Sequence, residues 1–475
     1  MHSTRPALSL CLSLSLAACG SGSAPPTAGT PTPTPTATPT PAPTPTPTNA
    51  ACSLSARQDW AYAQLDEWYL FPGLLDQSVS KASHSTLEDY IDALVAPARA
   101  QSRDRYFTYV TSIAEENALI NSGATAGFGF RLGYDSVNRR VFVIESFEGA
   151  PALGQNIDRG DELLSIGGTT VSSLMASGGP FAVIDALGPD EPGTSRTLRI
   201  RSLGGTEREV TLTKADYDLD PVSPRYGAQV ISHGGDMIGY LNLRTFIAST
   251  AAADLRAAFE DFRAQGVNKV IVDLRYNGGG LVSIGELLSD LLAANRVGQV
   301  LSHTTFRDSK SQFNETTDFR SQPQAIAATR IAFIGTPSSA SASELVMNTF
   351  PPYLANNVAL VGSNTYGKPV GQIAEDRAQC DDRLRIVAFK TDNADNEGDY
   401  YTGLASTMPV TCRAEDDITY QLGDPAEDMV ATALGWLAGG SCTAIAAKTT
   451  QAAGGRQVLQ PRRPSAAQHE IPGLF

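Results

Sequence analysis

Ser338-Ser-Ala-Ser-Ala-Ser-Glu344 lies between a short apolar run, Arg330-Ile-Ala-Phe-Ile334 with Gly335-Thr-Pro337 after it, and a second run, Leu345-Val-Met-Asn-Thr-Phe350. This order predicts a strand, a tight loop and a helix start. A serine there sits among unpaired N–H groups at the positive end of a helix dipole, where developing negative charge is stabilised. Alone, the string reads most simply as an N-cap in a loop of small residues. Its neighbours along the chain change that reading.

Downstream, Val358-Ala-Leu-Val361 predicts the next strand and delivers Gly362-Ser-Asn-Thr-Tyr-Gly-Lys368-Pro-Val-Gly-Gln372. Upstream, Lys269-Val-Ile-Val-Asp-Leu-Arg-Tyr-Asn-Gly-Gly-Gly280 reads as a buried strand entering a glycine-rich turn, which lets backbone N–H groups approach a ligand closely. A serine, a lysine and a donor loop, each at a strand end, make one candidate site.

Taken together, Asp273-Leu-Arg-x-Asn-x-Gly-Gly280, Ser339-Ala-Ser-Ala-Ser-Glu344 and Gly367-Lys-x-x-x-Gln372 resemble the tail-specific, carboxyl-terminal processing serine peptidases of family S41, over roughly residues 55 to 440. The resemblance implies Ser343 as nucleophile, Lys368 as general base and Gln372 as the group that orients the lysine. It implies oxyanion donors from the backbone N–H of Glu344 and of a glycine in the 278–280 turn, Gly279 or Gly280. It also implies a crotonase/ClpP-like α/β protease core, which periodicity does not show. Pro369 departs from the family, whose members commonly keep a free N–H after the lysine.

Met1 to Ala18 has Arg5, a Leu-rich run and Leu16-Ala-Ala-Cys19, the pattern of a bacterial lipoprotein signal with lipidation expected at Cys19. An ordinary signal peptide with a chance cysteine is the simpler alternative. Residues 19–50, rich in Pro and Thr, read as an extended stalk. Residues 51–123 carry Trp60, Leu65, Trp68, Leu87, Tyr90 and Leu94 at helical spacing and predict a helical region. Residues 124–216 alternate like β-structure, and Gly127-Phe-Gly-Phe130 with Gly160-Asp161 and Ile166-Gly-Gly168 resembles a PDZ domain. In such a domain Gly127, Phe128, Gly129 and Phe130 would face a peptide's terminal carboxylate. Residues 217–440 are the expected peptidase core, and 441–475 an expected disordered tail. The closing Leu474-Phe475 resembles a PDZ ligand, although most chain ends are simply loose.

The chain of 475 residues has 36 Lys and Arg against 50 Asp and Glu, a formal charge of −14, which argues against nucleic-acid binding. Cys52, Cys380, Cys412 and Cys442 remain for pairing in an oxidising compartment. The expected bonds are Cys380–Cys412, bracketing an insertion after Gln372, and Cys52–Cys442, joining the two ends of the folded body. Zinc is the alternative, but the cysteine spacings lack a paired-ligand pattern, so no metal or other cofactor is expected. None of the five histidines falls in a motif for a Ser-His-Asp site, which leaves the lysine as base. A lysine with an ordinary pKa of ~10.4 needs a depression of about 3, roughly 4 kcal/mol, to act as a neutral amine at pH 7, and burial can supply it. Asp273 and Arg275 read as supports that pin the glycine turn.

The resulting expectation is a lipid-anchored, periplasm-facing endopeptidase, on the outer membrane in a Gram-negative host, that cleaves envelope proteins presented by their C-termini. A non-catalytic PDZ-bearing scaffold lipoprotein is the alternative. An acyl-CoA enzyme would need a nucleotide-binding surface that the sequence does not offer.

Overall fold

The structure, a computed structural model, describes residues 50–446 and 456–475 apart from position 248. The signal peptide, Cys19 and nearly all of the Pro/Thr stalk lie outside the described residues. Among the described residues no helix is long and apolar enough to cross a membrane.

Residues 269–273, 330–335 and 358–362 are continuous apolar runs because both of their faces are covered. They form the centre of a six-stranded sheet in the order 228–233, 236–242, 269–273, 330–335, 358–362, 410–413. The first pair is antiparallel and all later pairs are parallel. On one face the helices Ala251–Ala264, Val282–Leu292 and Ala342–Thr349 bury Leu255, Phe259, Leu288 and Val346. On the other, Asp428–Leu437 buries Val430, Ala433 and Leu434. The parallel register aligns Asp273 with Ile334 and Ile334 with Val361, so three loops leave the sheet side by side at its carboxyl edge. In open α/β sheets that edge is where ligands bind.

A second sheet of five strands holds the hairpin Val370–Arg377 and Asp382–Asp392, and Tyr109–Ser112 joins its edge. The helices Leu54–Trp68 and Leu87–Leu94 pack Leu65, Ile91 and Leu94 against Val370, Leu384 and Ile386 of that hairpin. The N-terminal region is thus helical as expected, with one strand added. Residues 130–213 form the third body, a sheet in which 130–135, 140–146, 162–166, 195–201 and 207–213 pair in antiparallel order. Its core gathers Phe128, Phe130, Leu132, Val143, Leu163, Val183, Leu198 and Leu212.

Two expectations are corrected. The disulfides are Cys52–Cys380 and Cys412–Cys442, not Cys380–Cys412 and Cys52–Cys442. The hairpin carries Cys380 back to the N-terminal helices, where Arg57 pairs with Asp382 and Arg377 reaches the Ala51 carbonyl. Cys412 lies on the edge strand of the central sheet, and the chain returning from the Asp428–Leu437 helix runs beside it, with Arg413 N–H donating to Thr443 O at 2.6 Å. Nor is residues 456–475 a disordered tail. Gln457–Val458 pairs with Tyr134 and Gly133, and Ala466–Glu470 forms a short helix behind a Ser465/Gln468 capping box. Its apolar residues explain the order, since Leu459, Ile471, Leu474 and Phe475 are all buried.

Candidate active site

Ser343 is fully buried in the first turn of the helix Ala342–Thr349, and its hydroxyl donates to Asn277 O at 2.9 Å. The glycine turn is therefore in contact with the serine, as the two motifs predict. Lys368, at the foot of the strand Val370–Arg377, donates from Nζ to Gln372 Oε1 at 2.7 Å. Gln372 is fixed in turn by donating through Nε2 to Phe107 O. Burial pushes the Lys368 amine below its ordinary value, with the negative charge of Glu470 the largest opposing influence.

The side chain of Glu344 was not anticipated. Its buried carboxylate accepts from Gly367 N–H and Lys368 N–H at 2.7 Å each, from Thr365 Oγ1 at 2.6 Å and from Ser341 N–H at 3.2 Å. It ties the loop that carries the lysine to the turn that carries the serine. Burial raises its pKa, against the lowering effect of these donors. The capping-box pattern Ser341-Ala-Ser-Glu344 was the available signal. Arg105, which donates to Gly367 O at 3.0 Å, and Phe107, whose ring centroid is 5.1 Å from Lys368 Nζ, come from the N-terminal region. No local signal in the sequence connects them with a lysine so far along the chain.

The glycine turn differs from its expected form. Gly279 N–H is committed to Asn277 Oδ1 at 2.8 Å, and Gly280 forms a bridge with Phe246. The N–H that meets a peptide carbonyl belongs to Gly278, donating to Glu470 O at 2.9 Å. A side chain at position 278 would collide with the His469 carbonyl oxygen, so glycine is required for this approach. Asp273 and Arg275 are supports, as expected. Arg275 binds Asp273 at 2.8 Å, Glu427 at 2.9 Å and Asp416 at 3.1 Å, and Asp416 is held well below the usual carboxylate range by Arg159 and Arg275.

Gly127, Phe128, Gly129 and Phe130 come together around residues 473–475 of the same chain. Gly129 and Phe130 donate to Phe475 O at 2.9 and 3.3 Å, and Phe475 N–H donates to Phe130 O at 3.0 Å. The next residue on that strand, Arg131, pairs with Glu145 at 3.1 Å and donates to Tyr276 O at 2.6 Å, at the entry to the glycine turn.

The sequence profile of peptidase family S41 matches residues 237–395, the stretch that contains Ser343, Lys368 and Gln372. The chain carries an S41 peptidase domain. It is similar to the chloroplastic carboxyl-terminal-processing peptidase 2 of Arabidopsis thaliana, 30% identical over 258 residues covering 52% of this chain and 46% of that protein. It is also similar to the chloroplastic C-terminal processing peptidase of Tetradesmus obliquus, 27% identical over 267 residues covering 54% of each. The chain thus spans about half the length of these curated relatives. In structure it resembles a candidate S41 protease from Bacteroides fragilis NCTC 9343, with a TM-score of 0.63 at 22% identity over 80% of this chain and 97% of that one. The mixed α/β fold with an S41 core expected from the sequence is the fold found, and the S41 carboxyl-terminal-processing proteins are serine peptidases.

Proposed function

We propose that this S41 domain is a serine-type endopeptidase in which Ser343 is the nucleophile, Lys368 the base and Gln372 the residue that aims the lysine. The observation that carries the reading is the Lys368–Gln372 contact of 2.7 Å, on a loop that Glu344 bonds to the serine helix. A lysine with its pKa depressed by burial, pinned by a neutral amide, is suited to act as a base and has no evident structural purpose there.

In this reading the neutral Lys368 amine takes the Ser343 proton as Oγ attacks a peptide carbonyl. The proton passes to the departing amine nitrogen, and water then hydrolyses the acyl ester. Glu344 N–H, which is held by the Ser341 hydroxyl of the capping box in this structure, and an N–H of the glycine turn would stabilise the oxyanion. In this structure the Gly278 N–H is held by Glu470 O and the Gly279 N–H by Asn277 Oδ1, so Gly278 serves as the second donor only once its peptide turns toward Ser343. The 124–216 domain acts as the PDZ module, binding a substrate C-terminus by strand addition along Phe130–Asp135. A lipoprotein signal, the stalk and the disulfides together suit a lipid-anchored enzyme facing the periplasm, at the outer membrane of a Gram-negative cell. Its substrates would be envelope proteins with free C-termini.

The test is cleavage of an unfolded protein by the full chain, by Ser343→Ala and by Lys368→Ala. Turnover by the wild type alone is expected, together with slower cleavage of a substrate whose C-terminal carboxylate is blocked. Equal inertness of all three, with retained binding of C-terminal peptides, would favour the scaffold reading.

A further inference from the structure

The last residues of the chain occupy both halves of the site just described. At one end, Gly473–Phe475 adds antiparallel to the strand that begins at Phe130. Leu132 N–H donates to Gly473 O at 2.9 Å, Arg131 bridges to Leu474, and the Phe475 backbone oxygen accepts from the Gly129 and Phe130 N–H groups. The Phe475 ring joins the core of Phe128, Phe130, Val183 and Leu187. A Cβ on Gly127 would stand 2.8 Å from the Phe475 carbonyl carbon, so the groove closes on the chain end at van der Waals distance. At the other end, His469 stacks on Tyr109 with ring centroids 3.8 Å apart, and the Glu470 carbonyl takes the Gly278 N–H.

The orientation of one peptide group shows what this occupancy does. Asn277 O accepts from Ser343 Oγ at 2.9 Å and from Ala340 N–H at 3.1 Å, while the N–H of the same peptide unit, on Gly278, is bound by Glu470. The C=O and N–H of a trans peptide point in opposite directions. The turn therefore presents a carbonyl to the nucleophile and turns its N–H away from it, the reverse of what an oxyanion requires. The Glu470 charge also favours the protonated, inactive form of Lys368.

We propose that residues 456–475 are a tethered ligand of the protein's own carboxylate groove and active-site cleft, which holds the enzyme off until a peptide with a free C-terminal carboxylate after a large apolar residue displaces it. The proposal rests on the peptidase and groove reading above. A tethered ligand acts at an effective concentration in the millimolar range for short flexible linkers, so a free peptide must compete against it and its apparent affinity falls accordingly.

The experiment uses a fluorescent decapeptide of sequence Ala466 to Phe475 and the full-length chain carrying Ser343→Ala. Binding is compared between the native tail, Leu474→Asp with Phe475→Asp, and the milder Phe475→Ala, which keeps the proposal testable if the double variant unfolds. At least tenfold tighter binding of the peptide to a released tail is expected. In the Ser343 background the same tail changes are expected to raise turnover of an unfolded protein at least tenfold, and added decapeptide to suppress it again, the carboxyl-amidated peptide much less. Equal peptide affinity with native and released tails would overturn the proposal, as would unchanged turnover in a folded, active Phe475→Ala chain. If the affinity difference appears while every chain is inert, the tethered ligand stands and the peptidase reading falls.

Discussion

Lys368 is surrounded by groups that set its charge. Burial lowers its pKa, while Glu470, Asp104 and Glu344 oppose the shift. Because the neutral amine is the working form, cleavage should rise with pH through a single ionisation below the free-lysine value of ~10.4 and then level off. In Lys368→Arg, which stays charged throughout, activity should fall at least ~10³-fold with no rising limb. Stability has the same sign. Between the depressed folded pKa and the unfolded one, the unfolded chain binds more protons, so this group's penalty is relieved as pH rises. Glu344 acts on the lysine through backbone. Glu344→Ala leaves the Gly367 and Lys368 N–H groups buried without an acceptor and should cost about 3 kcal/mol of stability. Glu344→Gln keeps one acceptor oxygen but sets its NH2 against at least one of these N–H groups, so it should recover only part of the stability and of kcat, with KM little changed, as chemical denaturation and steady-state kinetics would show. At this scale the serine, lysine and glutamine were legible because each lies in a short motif of fixed spacing. The Glu344 carboxylate was partly legible as a capping box. Gly278 was not distinguished from its neighbours, since three consecutive glycines give no hint of which N–H a fold will aim at a peptide.

The strands of the central sheet were readable as apolar runs because both of their faces are buried, and the helices by their spacing. The links between elements were not. Cysteine pairing depends on which loops meet, and the hairpin that brings Cys380 to Cys52 is a long-range event with no sequence signature. Peptide mapping under non-reducing conditions should recover Cys52 joined to Cys380 and Cys412 joined to Cys442. Fragments joining Cys380 to Cys412 would contradict the fold of that hairpin. Arg275 lies where the Asp273 strand enters the glycine turn, fully buried between Asp273 and Glu427. Arg275→Met strands two buried carboxylates and should destabilise by about 3–5 kcal/mol, with a lower Tm and a loss of activity that follows unfolding of the turn. Asp273 and Arg275 were read correctly as supports because a strand end before a flexible turn needs a fixed anchor.

At the scale of the whole molecule, three bodies meet at the carboxyl edge of one sheet: the N-terminal region at Phe107, the S41 core at Ser343 and Lys368, and the sheet of residues 130–213 through Arg131. The tail threads past all of them. Its composition suggested disorder, and only the closing Leu474-Phe475 hinted at a docking site; Ile471, also buried, gave no such hint. The central claim is that Ser343 is a nucleophile activated by Lys368. It is tested most directly by prolonged incubation of the full-length chain with a fluorophosphonate, followed by mass mapping of the adduct. A single adduct on Ser343, forming faster as pH rises and absent from Lys368→Ala, is the result expected. Modification of Lys368→Ala at the wild-type rate, or an adduct on another residue, would contradict it.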